Sequence, residues 1–384
     1  MSDPSTQPEP PTVQWSLDDY AKYARAVPQA VAGGLSLGVV FLPDDVIVAP
    51  FGHVRAMVRD ISGWAARYRE LLGRDNPAQL AALLFDATGD PWSLAHYFPA
   101  VMVLADVERA ALFGQIAATA HHPHLDLRLI GEGRKDLTGQ LPASARWIVA
   151  GHLVEVLGQR PDILAAFLGA PRHLRLYTSA RAFADDGGIA GGDYDPTRER
   201  IQLGLERVFE GFGGARPGVA PFLHELGHML DAYDVESGTM ARGRGLLPGL
   251  DPRDGALFTP EARRRFVSGK ALEARRYAVL VARTGASPGL VPDAELPLGH
   301  PYVFQNDGEF LAGYLELFFR TPNRFGTLNP ELFGGFAALL RQDPRPAWPV
   351  DFAYYVDANR AAYRGGSAIA PAGISLPRAD DARR

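Results

Sequence analysis

His224-Glu225-Leu226-Gly227-His228 constrains this chain more than any other five residues in it. Residues four apart on an α-helix lie roughly 40° apart around its axis, so both imidazoles point the same way and can share one ion. Glu225 sits at the flank of that pair, within reach of a water on the ion yet not placed to ligate it. The segment therefore offers two metal ligands and a general base on one turn. The surrounding pattern predicts a helix over 219–231, with the apolar run Val219 to Leu223 leading in and Met229-Leu230 continuing the buried side.

Two imidazoles do not hold a catalytic ion alone; a third protein ligand and an open position are needed. The chain has no cysteine. That removes a disulfide framework, a thiol nucleophile and thiolate ligands together, and leaves His, Asp or Glu as the third ligand. Two places supply one. Locally, HELGHMLDAYD (224–234) can be written H-E-x-x-H-x-x-D-x-x-D, which offers Asp234. In that scheme the sharp turn uses a glycine where this chain has Asp231. Farther along, YVFQNDGE (302–309) leads into FLAGYLELFF, and Glu309 and Glu316 are seven apart on nearly one helix face. One of them can ligate while the other stands behind a ligand. Spacing alone leaves Asp234, Glu309 and Glu316 all open.

The remaining composition narrows the function classes. Across 384 residues, 47% apolar and 22% charged residues describe a globular chain with a core of ordinary size. A net charge of −5 with interspersed signs predicts neither a nucleic-acid partner nor an anionic membrane surface. The N-terminus lacks a basic and then apolar leader, and the most apolar early stretch, 31–42, is too short to span a bilayer. A cytoplasmic location with no membrane partner is the expectation.

Along the chain, residues 1–15 are rich in Pro, Ser and Glu and are expected to be a disordered tail. Residues 16–139 read as a mainly helical N-terminal region of unknown role, with a weak hairpin signal at 39–50 and a polar boundary loop at 121–143. That loop holds His121, His122 and His124, read as solvated because no carboxylate spacing accompanies them. From residue 140 the pattern predicts helices over 144–158, 161–168, 260–283, 307–320, 330–341 and 352–363. Strands are expected at 173–178 and 200–205, with glycine turns between them at 185–195. RIQLGL (200–205) is a candidate edge strand for pairing with an extended peptide. The arginines at 263–265 and 275–276 read as a solvated helix face, and 366–384 as a loose C-terminal tail.

Three segments in order resemble a known group. HELGHMLDAYD is similar to the H-E-x-x-H-x-L-D-x-x-D segment of the Mlc titration factor A family of zinc metallopeptidases, relatives of the anthrax lethal factor catalytic domain. YVFQNDGEFLAGYLELFF (302–319) resembles their Tyr-x(4)-Asn-x-x-Glu-Phe-x-Ala helix entry, and PELFGGFAALLRQDP (330–344) resembles the closing segment of the titration factor branch. The resemblance covers 219–344 clearly and nothing before 140. It implies an α+β, zincin-like metallopeptidase domain over 140–365 holding one Zn2+ per chain. His224, His228 and Glu309 would be the ligands, Glu225 the base, Tyr302 the oxyanion-side hydroxyl, and Glu316 a carboxylate behind the ligands. The 81 residues from His228 to Glu309 are longer than that branch leads one to expect, which suggests an insertion within 235–300. The expected function is hydrolysis of a peptide or protein substrate. The alternatives are a regulatory protein that sequesters a protein partner on the same scaffold, which the family's name suggests, and a toxin-like effector protease.

Overall fold

In a computed structural model, the described residues are 106–376, apart from 142, 189–191, 196, 209–219, 235–238, 241–259, 284–291, 293–294, 348–352 and 365–369. The hairpin expected at 39–50, the tail at 1–15 and the helical region up to residue 105 lie outside them.

The fold is mixed α/β and mostly helical around one five-stranded sheet. Helix α1 (Asp106–Ala120) leads into β1 (Leu125–Gly131) and β2 (Lys135–Asp136). Helices α2 (Ala143–Leu157) and α3 (Pro161–Leu168) precede β3 (Arg172–Tyr177), and α4 (Ala180–Asp185) precedes β4 (Gly192–Asp195) and β5 (Arg200–Gly204). The order across the sheet is β2-β1-β3-β5-β4. β1, β3 and β5 run parallel, while β2 and β4 are antiparallel strands at the two edges.

Alternation decides which sheet face is covered. Leu125, Leu127 and Leu129, Leu174 and Leu176, and Ile201 and Leu203 are all buried in one apolar cluster with residues of the helices. The opposite face presents Arg128, Arg175 and Gln202, which the strand register sets side by side.

Beyond the sheet come α5 (Leu205–Val208), α6 (Pro221–Asp231) and a two-residue ribbon of β6 (Tyr233–Asp234) with β7 (Thr239–Met240). The helical half follows, with α7 (Pro260–Arg283), a 3-10 turn (Pro301–Phe304), α8 (Asp307–Arg320), α9 (Pro322–Leu328), α10 (Pro330–Leu340) and α11 (Ala353–Arg364). α6 lies between the sheet and α8. Its Phe222, Leu223, Leu226, Met229 and Leu230 are buried, each worth roughly 1.5–3 kcal/mol of transfer free energy. Among the described residues no helix is long and apolar enough to cross a membrane.

Five expectations need correction. The loop expected at 121–143 contains β1, and Ile116, Ala120 and the β1 leucines share the cluster built by residues 145–363. Residues on both sides of 139/140 thus contribute to one apolar cluster, and β1 belongs to it because a parallel strand is held by its neighbours whatever the polarity of its flanks. The glycine turns expected at 185–195 are in part an edge strand, β4. RIQLG is accordingly an interior strand, covered on one side by β3 and on the other by β4. The tail expected to be loose from 366 is tied down at 370–376 by main-chain hydrogen bonds. Finally, Arg276 is not simply solvated, since it pairs with Glu273 and donates to the Leu328 carbonyl.

Candidate metal centre

The centre is set by how closely α6 and α8 approach. A β carbon at Gly227 would stand 2.6 Å from the Ala312 Cα, so the glycine within the H-E-x-x-H run lets the two backbones touch. On α6 the contact is flanked by His224 and His228. On α8, Glu309 lies three residues before Ala312 and Glu316 four residues after it, both on the contact face.

Each helix is started by a local device. Pro221 occupies the first turn of α6, where its missing amide hydrogen is no loss. Asn306 caps α8, its side-chain oxygen accepting the Glu309 amide at 2.9 Å. Asp307 and Glu309 then place acid in the first turn, the favourable end of the helix dipole.

Ligand atoms of His224, His228 and Glu309 lie within 4.8 Å of one another, a group that can hold a metal ion. His224 Nε2 is 2.9 Å from Glu309 Oε2, and His228 Nε2 is 3.6 Å from the same oxygen. Behind His224, its Nδ1 donates to Glu316 Oε1 at 2.7 Å, and the other Glu316 oxygen accepts the Ala220 amide at 2.5 Å. The carboxylate of Glu316 thus fixes the ring and leaves Nε2 turned toward Glu309 and His228.

Electrostatics follow from this packing in the metal-free protein. Burial disfavours the His224 imidazolium, yet its bonds to Glu309 and Glu316 outweigh this and push its pKa up to about 10. Burial would also raise Glu309, but His224 and His228 hold its carboxyl well below the usual carboxylate range. Glu225 is 5% exposed and its Oε2 is buried without a hydrogen-bond partner. Burial drives its pKa up to about 7 against the opposing pull of the two histidines.

Tyr302 sits on the 3-10 turn with its ring centroid 6.3 Å from that of His224, and it is 45% exposed. Burial of its hydroxyl, followed by the charge of Glu309, raises its pKa to about 12. It is therefore a proton-bearing donor at neutral pH. β4 borders the same space: a β carbon at Gly192 would be 3.2 Å from Glu225 Oε1.

The structure brings together His224, Glu225, His228, Tyr302, Glu309 and Glu316. Asp234 contributes its backbone to the β6–β7 ribbon, and the converging group takes its carboxylate from Glu309. Sequence reading missed the α6–α8 contact at Gly227, whose only signal was a glycine inside a helical pattern. It also missed Lys270, wholly buried and 2.6 Å from Asp307. No known family model matches the chain, and no curated protein matches it either.

Proposed function

We propose that this chain is a zinc-dependent peptidase with a zincin-like catalytic domain, as its resemblance to the Mlc titration factor A family implies. The observation that carries the reading is a pair of features where α6 meets α8. Three metal-ligand atoms converge at His224, His228 and Glu309, and beside them Glu225 holds a buried oxygen with no partner. A buried carboxylate oxygen left unbonded is costly as structure but suits a base that awaits a water.

The donor set fits zinc. Two imidazole nitrogens and one carboxylate oxygen leave a fourth position open, and Glu316 orients one imidazole from behind. When bound, zinc supplies Lewis-acid chemistry, polarising the scissile carbonyl and making a water acidic near neutral pH.

The protein's own groups do the rest. Glu225 accepts a proton from the attacking water and passes it to the leaving amine nitrogen, a task its buried, unpartnered oxygen suits. Tyr302 donates a hydrogen bond to the carbonyl oxygen as that oxygen gains charge, a role worth about 3 kcal/mol where it has been measured elsewhere. Among the described residues β4 is an edge strand of the sheet and borders Glu225, and an extended peptide substrate would lie along it.

The test is bound zinc per chain by elemental analysis, in the wild type and in Glu309→Ala, together with hydrolysis of a mixed peptide pool. About one zinc in the wild type and a sharp loss in the variant are expected. A metal-replete wild type that binds none would overturn the reading.

A further inference from the structure

The turn that carries Tyr302 and leads to Glu309 is held from outside by residues 370–376. The Gly373 amide donates to the Phe304 carbonyl at 2.8 Å. The Ser375 amide donates to Asp307 Oδ1 at 2.8 Å, and the Tyr277 hydroxyl of α7 donates to the Ala370 carbonyl at 2.7 Å. Ile374 packs against the main core. The approach at Gly373 is closer than any side chain permits, because a β carbon there would stand 2.0 Å from the Gln305 carbonyl oxygen.

Asp307 is gripped from the other side as well. Lys270 of α7 meets the same Oδ1 at 2.6 Å. Its ammonium has no exposed surface and lies 5.3 Å from the centroid of the Phe310 ring. One carboxylate oxygen in the first turn of α8 therefore ties α7 and the C-terminal stretch together, two residues from Glu309.

We propose that residues 370–376 are a strap that sets the positions of Tyr302 and Glu309, with the main-chain amides at 373 and 375 as the groups through which it holds them. What the strap positions rests on the metallopeptidase reading; that it restrains 301–309 does not. The two halves of the centre differ in how they are fixed. His224 and His228 stand on a helix whose apolar side is buried against the sheet and α8. Tyr302 and Glu309 stand where a surface turn becomes a helix, and a ligand set tolerates errors of only about 0.5 Å. The strap's bonds to Phe304 and Asp307 bracket Gln305 and Asn306, the residues that decide where α8 begins. Both bonds use strap amides rather than strap side chains, so only Gly373 is demanded by identity.

The experiment compares Gly373→Val and Ser375→Pro in the full chain with Ser375→Ala, which keeps the amide hydrogen, and with Gly114→Ala, where a β carbon meets nothing within 4 Å. Amide hydrogen exchange over 302–309 is followed, together with the rate of zinc loss to a chromogenic chelator and the kcat and KM for peptide. Exchange over 302–309 should rise about tenfold or more in the first two variants while β1, β3 and β5 keep their protection. Zinc loss should accelerate about tenfold and kcat should fall more than KM changes. Ser375→Ala and Gly114→Ala should match the wild type. Unchanged exchange at 302–309 in folded Ser375→Pro overturns the strap, whatever becomes of Gly373→Val. A wild type without zinc overturns the peptidase reading, and hydrogen exchange still decides the strap.

Discussion

The loop at 121–124 and the helix at 224–228 both carry closely spaced histidines, and they use them differently. In the loop the imidazole nitrogens serve the backbone: His124 Nδ1 meets the Leu168 carbonyl at 2.7 Å, and His122 Nδ1 accepts the His124 amide at 3.2 Å. His121 meets the edge of the Trp147 ring. On the helix, His224 Nδ1 is bonded to a carboxylate that is itself bonded to a helix-entry amide. Its Nε2 and that of His228 converge on a carboxylate from another helix. Density of histidine is thus a poor guide to a metal site. What matters is which nitrogen is already engaged, and whether a second element brings an acid to the other.

The largest effect should come from the group that separates chemistry from binding. Glu225→Gln keeps the volume of the side chain but loses the base. Peptide turnover should fall about a thousandfold or more, with zinc content unchanged. If zinc is lost along with activity, Glu225 belongs among the ligands and the comparison between base and ligand fails.

The two histidine clusters can be set against each other directly. Replacing His121, His122 and His124 together by alanine should leave zinc content and turnover within about twofold of wild type, because the bonds described for them do not involve the helix cluster. Replacing His224 and His228 should abolish both. Zinc that survives the second change and leaves with the first would move the metal to the loop.

A subtler change removes only the carboxylate charge behind His224. Glu316→Gln keeps a hydrogen-bonding group near Nδ1 and near the Ala220 amide but weakens the hold on the ring. Zinc affinity should drop by roughly 10–100-fold, measured by competition with a chelator of known affinity. No change would mean that the backbone alone fixes His224.

Much of this contrast was legible in the sequence. Helical spacing placed His224 and His228 on one face, and the expected helix over 307–320 coincides with α8. That helix carries Glu309 and Glu316 to the contact face. What stayed hidden depends on partners distant in the chain. β1 was obscured because polar flanks, HHPH and GEGRKD, outweighed the short alternating run LDLRLIG between them. Alternation in RIQLG marked a strand but held no information on whether a neighbour would cover both its sides. That neighbour, GDYD, is four residues long and begins with glycine. The strap at 370–376 acts through amides that every residue but proline possesses, so composition gave it no signature.

The smallest predicted effect concerns the charge environment of the helix cluster. Asp231 closes α6 with Oδ1 buried and without a hydrogen-bond partner. Burial pushes its carboxyl up to about 6, His228 and Lys270 pull it down, and Asp307 adds repulsion. An acid whose folded pKa exceeds its unfolded value, about 3.9, binds more protons folded than unfolded between those two pH values. Stability contributed at this position therefore falls as pH rises from about 4 to about 6, and the full penalty is present above that. Asp231→Asn removes the charge and should stabilise the metal-free protein at pH 7 by roughly 1–3 kcal/mol, with the gain vanishing below about pH 4. Urea unfolding of both proteins at pH 4 and pH 7 measures it. Zinc adds positive charge close by, so the gain should shrink in the loaded protein. A variant less stable than wild type at pH 7 would mean that the carboxylate is a favourable partner of His228, and that the helix cluster is backed by acids at both imidazoles rather than at one.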